Sequence, residues 1–177
     1  MSMLNDLGVK YGTDQSTLRH CYLSLFELLF ARFNRNLYVI LLEIGFQFGC
    51  SSRTWKEYFP YGHITGIDLV DNHAEGLDKT IYGDAYSSAV FEQLPKNHFH
   101  IIIEDGSHAE QDQSYAVTNY SHLLTPDGIL IIEDIASLGV TDQLSKVVPS
   151  GFNHAVIDLR TVNPGVIDNI LFLVWRK

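Results

Sequence analysis

Five short apolar runs close on acidic residues and are separated by helix-compatible sequence. No other feature constrains this chain as strongly. Leu37 to Ile44 is a nearly unbroken apolar run ending in Glu43-Ile44-Gly45. His63 to Leu69 carries Asp68, and Lys79 to Tyr82 leads into Gly83-Asp84. Phe99 to Ile103 leads into Glu104-Asp105-Gly106, and Ile129 to Ile132 into Glu133-Asp134. Apolar runs bounded by glycine are the pattern of strands buried on both faces. Between them, Ser51 to Phe59, Ala85 to Leu94 and Ala109 to Leu124 read as helices, ended by Pro60, Pro95 and Thr125-Pro126-Asp127-Gly128. Strands alternating with helices build a parallel sheet covered on both faces. Phe152 to Leu159 and Asn169 to Trp175 are two last strands. The turn Asn163-Pro164-Gly165 and no helix lies between them, so they are antiparallel to each other. The predicted fold is α/β: a doubly wound, Rossmann-like seven-stranded sheet, mostly parallel with one antiparallel strand.

The 177 residues fit a single domain, 1–177. Leu18, Cys21, Tyr22, Leu25, Phe26, Leu28, Leu29 and Phe33 mark a helix over 16–33, with Asp14 or Ser16 as its cap. It belongs to an N-terminal helical segment, 1–36, expected to pack over the site. The net charge of −9, from 21 acids and 12 bases, is wrong for nucleic acid or an anionic membrane surface. It suits a small neutral, cationic or metal-bridged ligand. Cys21 and Cys50 form no framework, which points to a reducing, cytoplasmic setting. Met1 to Val9 lacks the charged start and apolar stretch of a leader, and no run approaches the ~20 apolar residues of a membrane span.

In open sheets of this kind ligands bind beyond the carboxyl ends of the strands, near the switch in strand order. The acids fall at those ends. The loop Glu43-Ile44-Gly45-Phe46-Gln47-Phe48-Gly49 is glycine-punctuated, but Phe46 and Phe48 are too bulky for a phosphate cradle. A cationic ligand fits better, and the sulfonium and amino group of S-adenosylmethionine suit a carboxylate such as Glu43. Asp68 follows Gly45 by 23 residues, close to the ~20-residue offset of a ribose-binding acid. Asp84 can accept from an adenine amino group. Each acid taken alone can equally cap the next helix.

Asp105-Gly106-Ser107-His108 and Glu133-Asp134 end neighbouring strands, about 4.8 Å apart. Asp105, Glu133 and Asp134 can therefore surround one ion. Their hard oxygens suit Mg²⁺. His108 is placed to take a proton from a metal-held hydroxyl. His20, His100, His122 and His154 lack such company and read as structural or surface residues.

Together, Tyr11-Gly12-Thr13-Asp14, His20, Tyr22, Leu42-Glu43-Ile44-Gly45, Trp55-Lys56, Phe59-Pro60, Gly66-Ile67-Asp68, Gly83-Asp84, Glu104-Asp105-Gly106-Ser107-His108 and Ile132-Glu133-Asp134-Ile135 carry a family resemblance. The chain resembles the metal-dependent sugar O-methyltransferases of macrolide tailoring, of the mycinamicin and demethylmacrocin type, from about residue 10 to 136. The resemblance implies a class I methyltransferase with S-adenosylmethionine as donor and Mg²⁺ on Asp105, Glu133 and Asp134. It implies His108 as base beside Asp105. The cofactor would be held by Glu43, Gly45, Gly49, Ser51, Asp68, Asp84 and Asp105. Tyr11 and Thr13 would fold over it. The acceptor would be a sugar-like hydroxyl compound, and a homo-oligomer would be one way to close the site. The loop Phe46–Cys50 is bulkier than the usual pattern, and the further N-terminal domain of the macrolide enzymes has no counterpart before the YGTD segment. Two rivals stand beside this reading: a catechol-type O-methyltransferase with a lysine base, and a nucleoside-binding module whose loop aromatics fill the pocket. A nicotinamide dehydrogenase fits less well, for want of a phosphate loop.

Overall fold

The computed structural model describes residues 2–177. In chain order the elements are α1 (Met3–Tyr11), α2 (Tyr22–Phe30), β1 (Ile40–Ile44), α3 (Cys50–Tyr58), β2 (His63–Asp68), β3 (Lys79–Tyr82) and α4 (Ser88–Phe91). They continue with β4 (Phe99–Glu104), α5 (Glu110–Asn119), β5 (Leu124–Ile132), α6 (Leu138–Val147), β6 (Phe152–Asp158) and β7 (Ile170–Arg176). One seven-stranded sheet has the order β3-β2-β1-β4-β5-β7-β6. β7 runs antiparallel to both β5 and β6, and the other pairings are parallel. This is the mixed sheet expected from the sequence.

Strand side chains alternate between two cores. Leu42, Ile44, Ile102, Leu130 and Phe172 face one, and Leu41, Ile101, Ile103, Ile131 and Leu173 face the other. Both faces are covered, so the runs read as continuously apolar. The order of strands reverses between β1 and β4, and the carboxyl ends of β1 to β5 therefore meet along one edge.

Several boundaries differ from the sequence reading. The helix expected over 16–33 starts only at Tyr22, because the preceding turn captures its own backbone. His20 N–H donates to the Asp14 carbonyl, Cys21 N–H to Ser16 and Tyr22 N–H to Gln15, with Cys21 left-handed at φ 64°. The helix expected over 85–94 shrinks to α4, capped when the Ser87 hydroxyl accepts from Val90 N–H. The Thr125-Pro126-Asp127-Gly128 stop lies inside β5, where the register with β4 shifts between Phe99 and Ile101. Helix α1 lies within the N-terminal helical segment expected over 1–36, and α6 has no counterpart in the sequence reading. In α1, Gly8 lets the helix meet α2: a Cβ there would lie 2.1 Å from Leu23 Cδ1. No helix among the described residues is long and apolar enough to cross a membrane.

Candidate active site

A cleft of about 440 Å³ opens at the carboxyl edge, between Gly45 and Gln47 after β1, Asp68 after β2, Asp84 and Tyr86 after β3, and Asp105 to Ser107 after β4. That volume suits a nucleoside-sized ligand. Gly45 makes the cleft possible. Its φ is +84°, and a Cβ on it would sit 2.1 Å from the Asp105 carbonyl oxygen. The next residues are anchored by Asp68, which accepts from Gln47 N–H at 2.8 Å and from Val70 N–H at 3.3 Å. Each of its oxygens keeps acceptor capacity for a ligand hydroxyl. Asp84 accepts from Tyr86 N–H at 2.9 Å.

The loop aromatics leave the cleft open. Phe46 is buried at the sheet, against Gly66, and Phe48 points outward, 72% exposed. Neither ring lines this cleft, and both border its neighbour.

Three residues expected at the cofactor line neither this cleft nor its neighbour. Glu43 is fully buried and accepts from Ser52 Oγ at 2.6 Å and Trp55 Nε1 at 2.8 Å. It ties β1 to α3 beneath the loop, and burial pushes its carboxyl above the usual range. Gly49, left-handed at φ 75°, packs its Cα on Ala74 and Glu75 as the cap of α3. Tyr11 sits at the outer end of α1, where its hydroxyl donates to Glu57 and its ring lies under Arg53.

A second cleft, about 430 Å³, adjoins the first and shares Gly45, Gln47 and Asp105 with it. Thr13, Asp14, Ser51, Phe48, His108 and Asp134 also line it. At its base the ends of β4 and β5 meet, with Glu133 N–H donating to the Glu104 carbonyl. Ligand atoms of Asp105, His108 and Asp134 lie within 4.8 Å of one another. His108 Nε2 is 3.9 Å from Asp105 Oδ1. His108 and Asp134 both hold left-handed backbones, at φ 57° and 52°, a conformation that costs on the order of 1–3 kcal/mol and concentrates at functional sites. Glu133 differs from the expected ligand set. Its Oε1 accepts from Gln15 Nε2 at 2.8 Å, so it is turned toward the N-terminal segment. Burial, then mutual repulsion, drives the Asp105 and Glu133 carboxyls well above their ordinary values.

Three residues at this centre carry no site role in the sequence reading, although His20 and Tyr22 are among those that bear the family resemblance. Gln15 reaches Glu133 and Asp105, and Tyr22 Oη donates to Asp134 Oδ1 at 2.8 Å. His20, read above as structural or surface, is 1% exposed with Nδ1 3.3 Å from Asp134 Oδ1. On a continuous helix His20 and Tyr22 would diverge by about 200°. The turn stacks them instead, with centroids 4.9 Å apart.

No family model matches the chain. Among curated proteins it is 31% identical, over 75% of its length, to the Streptomyces olivaceus 8-demethyl-8-(2-methoxy-alpha-L-rhamnosyl)-tetracenomycin-C 3'-O-methyltransferase. It is 31% identical to the mycinamicin VI 2''-O-methyltransferase of Micromonospora griseorubida and 32% to the demethylmacrocin O-methyltransferase of Streptomyces fradiae, each over 75% of the chain. The chain spans only about 36% of the length of each. Among solved structures it superposes on the MycE methyltransferase of mycinamycin biosynthesis, in complex with Mg, SAH and mycinamycin VI. The TM-score is 0.73 at 24% identity, over 98% of this chain and 53% of that one. It also superposes on the SAH-bound Podospora anserina methyltransferase PaMTH1, with TM-score 0.62 at 13% identity, over 98% and 87%. The fold is that of class I methyltransferases, and the sequence relatives are sugar O-methyltransferases, as the motifs led one to expect.

Proposed function

We propose that residues 1–177 form the methyltransferase domain of a cytoplasmic S-adenosylmethionine-dependent O-methyltransferase that acts on a sugar-like hydroxyl. The observation that carries this reading is the continuity of the two clefts. A nucleoside-sized cleft bordered by Asp68 and Asp84 runs through Gly45 and Asp105 into a centre of buried carboxylates. The relatives named above add the reaction class, and MycE was solved with both Mg and SAH.

In this reading Asp68 holds ribose hydroxyls, and Asp84 faces the adenine end. Gly45 and Asp105 border the methyl donor, with Thr13 and Ser51 on the far wall. Asp105, Asp134 and the Glu133 oxygen that Gln15 leaves free hold a divalent cation. The donor set fits: hard carboxylate oxygens, partly or fully buried, whose like charges need a cation between them. When bound, that ion lowers the pKa of a hydroxyl it holds and offsets the charge of the acids. His108, 41% exposed at the mouth, takes the hydroxyl proton on Nε2. Transfer forms the oxygen–methyl bond, breaks the sulfur–methyl bond and leaves a neutral thioether. The protein's own contribution is chiefly alignment, worth up to about 7–11 kcal/mol in favourable cases. Among the described residues no lysine lines either cleft, which weighs against a catechol-type site with a lysine base. A second copy of the chain would cover the open second cleft, and light scattering showing only monomer in an active preparation would remove that part.

The test is calorimetry with S-adenosylhomocysteine, then a screen of sugar and catechol acceptors with Mg²⁺. Saturable binding and methylation of a sugar are expected, with turnover lost and donor binding kept in His108→Ala. No binding to the folded protein would refute the methyltransferase reading. Methylation of catechols alone would refute the acceptor class. Loss of Mn²⁺ binding in His108→Ala would make His108 a ligand rather than the base.

A further inference from the structure

We propose that the buried turn Gln15–Tyr22 is the orienting layer of the carboxylate centre, with Gln15 as the positioning residue that fixes Glu133 against Asp105 for cation binding. This rests on the cation reading above and adds residues to it.

Gln15 is 1% exposed. Its Nε2 stands between two acids, 2.8 Å from Glu133 Oε1 and 3.5 Å from Asp105 Oδ2. The root of the side chain is fixed. The Gln15 carbonyl accepts from Tyr22 N–H at 2.8 Å and Leu23 N–H at 3.2 Å, so the residue is locked to the start of α2. The same turn sends Tyr22 Oη to Asp134 Oδ1, and His20 beside it. Asp105, Glu133 and Asp134 thus each meet a buried side chain from this one segment of chain.

An uncharged amide is the chemistry this task requires. A lysine or arginine in its place would pair with the acids and compete with a cation. A carboxamide orients one carboxylate oxygen and leaves the net charge intact. Its second function is also unfilled. Gln15 Oε1 and both ring nitrogens of His20 are buried without hydrogen-bond partners. Buried orphans of this kind are costly and point to a missing partner. Water retained by a hard divalent ion donates hydrogen bonds and would supply one for Gln15 Oε1.

The experiment is Mn²⁺ titration, by calorimetry or electron paramagnetic resonance, of the full chain, Gln15→Leu and Tyr22→Phe. Circular dichroism and melting in chelator report folding, and metal-free S-adenosylhomocysteine binding reports the neighbouring cleft. Removing an outer hydrogen-bond partner of a metal ligand weakens affinity by about 10–100-fold, and that loss is expected for Gln15→Leu, with a smaller one for Tyr22→Phe. Both variants should keep wild-type S-adenosylhomocysteine affinity, which a general structural defect would not spare. Unchanged Mn²⁺ affinity in both folded variants overturns the inference and leaves the cation reading standing. Absence of Mn²⁺ binding by the wild type overturns both. Should Gln15→Leu fail to fold, Tyr22→Phe, which removes only a hydroxyl, decides the matter.

Discussion

Gly12 and Gly45 occupy nearly the same backbone conformation, φ 78° and 84°, in opposite surroundings. Substituting each by alanine separates conformational strain from crowding. A left-handed backbone costs an L-residue about 1–2 kcal/mol. A Cβ on Gly12 meets nothing within 4 Å, so Gly12→Ala should cost only that. A Cβ on Gly45 would lie 2.1 Å from the Asp105 carbonyl oxygen and 2.7 Å from its carbon. Backbone must move to relieve this, and overpacking adds about 1–3 kcal/mol, for a total of about 2–5 kcal/mol. For a chain of this size each kcal/mol shifts the melting temperature by about 2–4 °C. Thermal unfolding should therefore show a loss of about 2–8 °C for Gly12→Ala and about 4–20 °C for Gly45→Ala. Calorimetry should show weaker S-adenosylhomocysteine binding in Gly45→Ala alone, because the turn carrying Asp105 is displaced. Equal melting temperatures with unchanged binding would refute the claim that contact between the β1 loop and the β4 turn shapes the cleft.

Asp68→Ala removes the acceptor for Gln47 N–H and the proposed ribose contact. Hydrogen bonds to a charged group are worth about 1.5–3 kcal/mol, so S-adenosylhomocysteine affinity should fall at least tenfold while Mn²⁺ binding persists, and calorimetry with each ligand reads both. Tyr86→Phe removes the phenol that links Glu104 Oε1 and Ser107 N–H, leaving that oxygen only Gly106 N–H; a stability loss of about 0.5–1.5 kcal/mol per hydrogen bond is expected, and chemical denaturation measures it. Glu43 has a raised carboxyl pKa in the fold through burial. Above the ordinary carboxylate range the unfolded chain releases this proton while the folded chain keeps it, so stability falls as pH rises until the folded pKa is passed. Glu43→Gln should flatten the fall in melting temperature as pH rises above the ordinary carboxylate range, and an identical slope in both proteins would show that Glu43 is not its source.

The sheet was legible because it is a matter of period and punctuation. Continuous apolar runs ending in Gly45, Asp68, Asp84, Asp105 and Asp134 fix which segments are doubly covered strands and where their carboxyl ends lie. The parallel rule then brings those ends to one edge. Local sequence also placed His108 two residues beyond Gly106, on the turn that faces Asp134. Other features depended on contacts far apart in the chain. The helix read over 16–33 is locally plausible, but its first turns form a compact loop whose backbone bonds back to Asp14, Gln15 and Ser16 while Gln15 and Tyr22 reach the buried acids. Glu43 has the right chemistry for a cationic ligand, yet Trp55 and Ser52 on α3 satisfy it inside the protein. Glu133 and Asp134 are adjacent in sequence, but the left-handed backbone at Asp134 turns them to different partners. Periodicity decides which residues are buried and at which end of the sheet the acids stand. The direction in which each acid points is decided by the hydrogen bonds available from segments up to 118 residues away, because a buried carboxyl without a partner is too costly to keep.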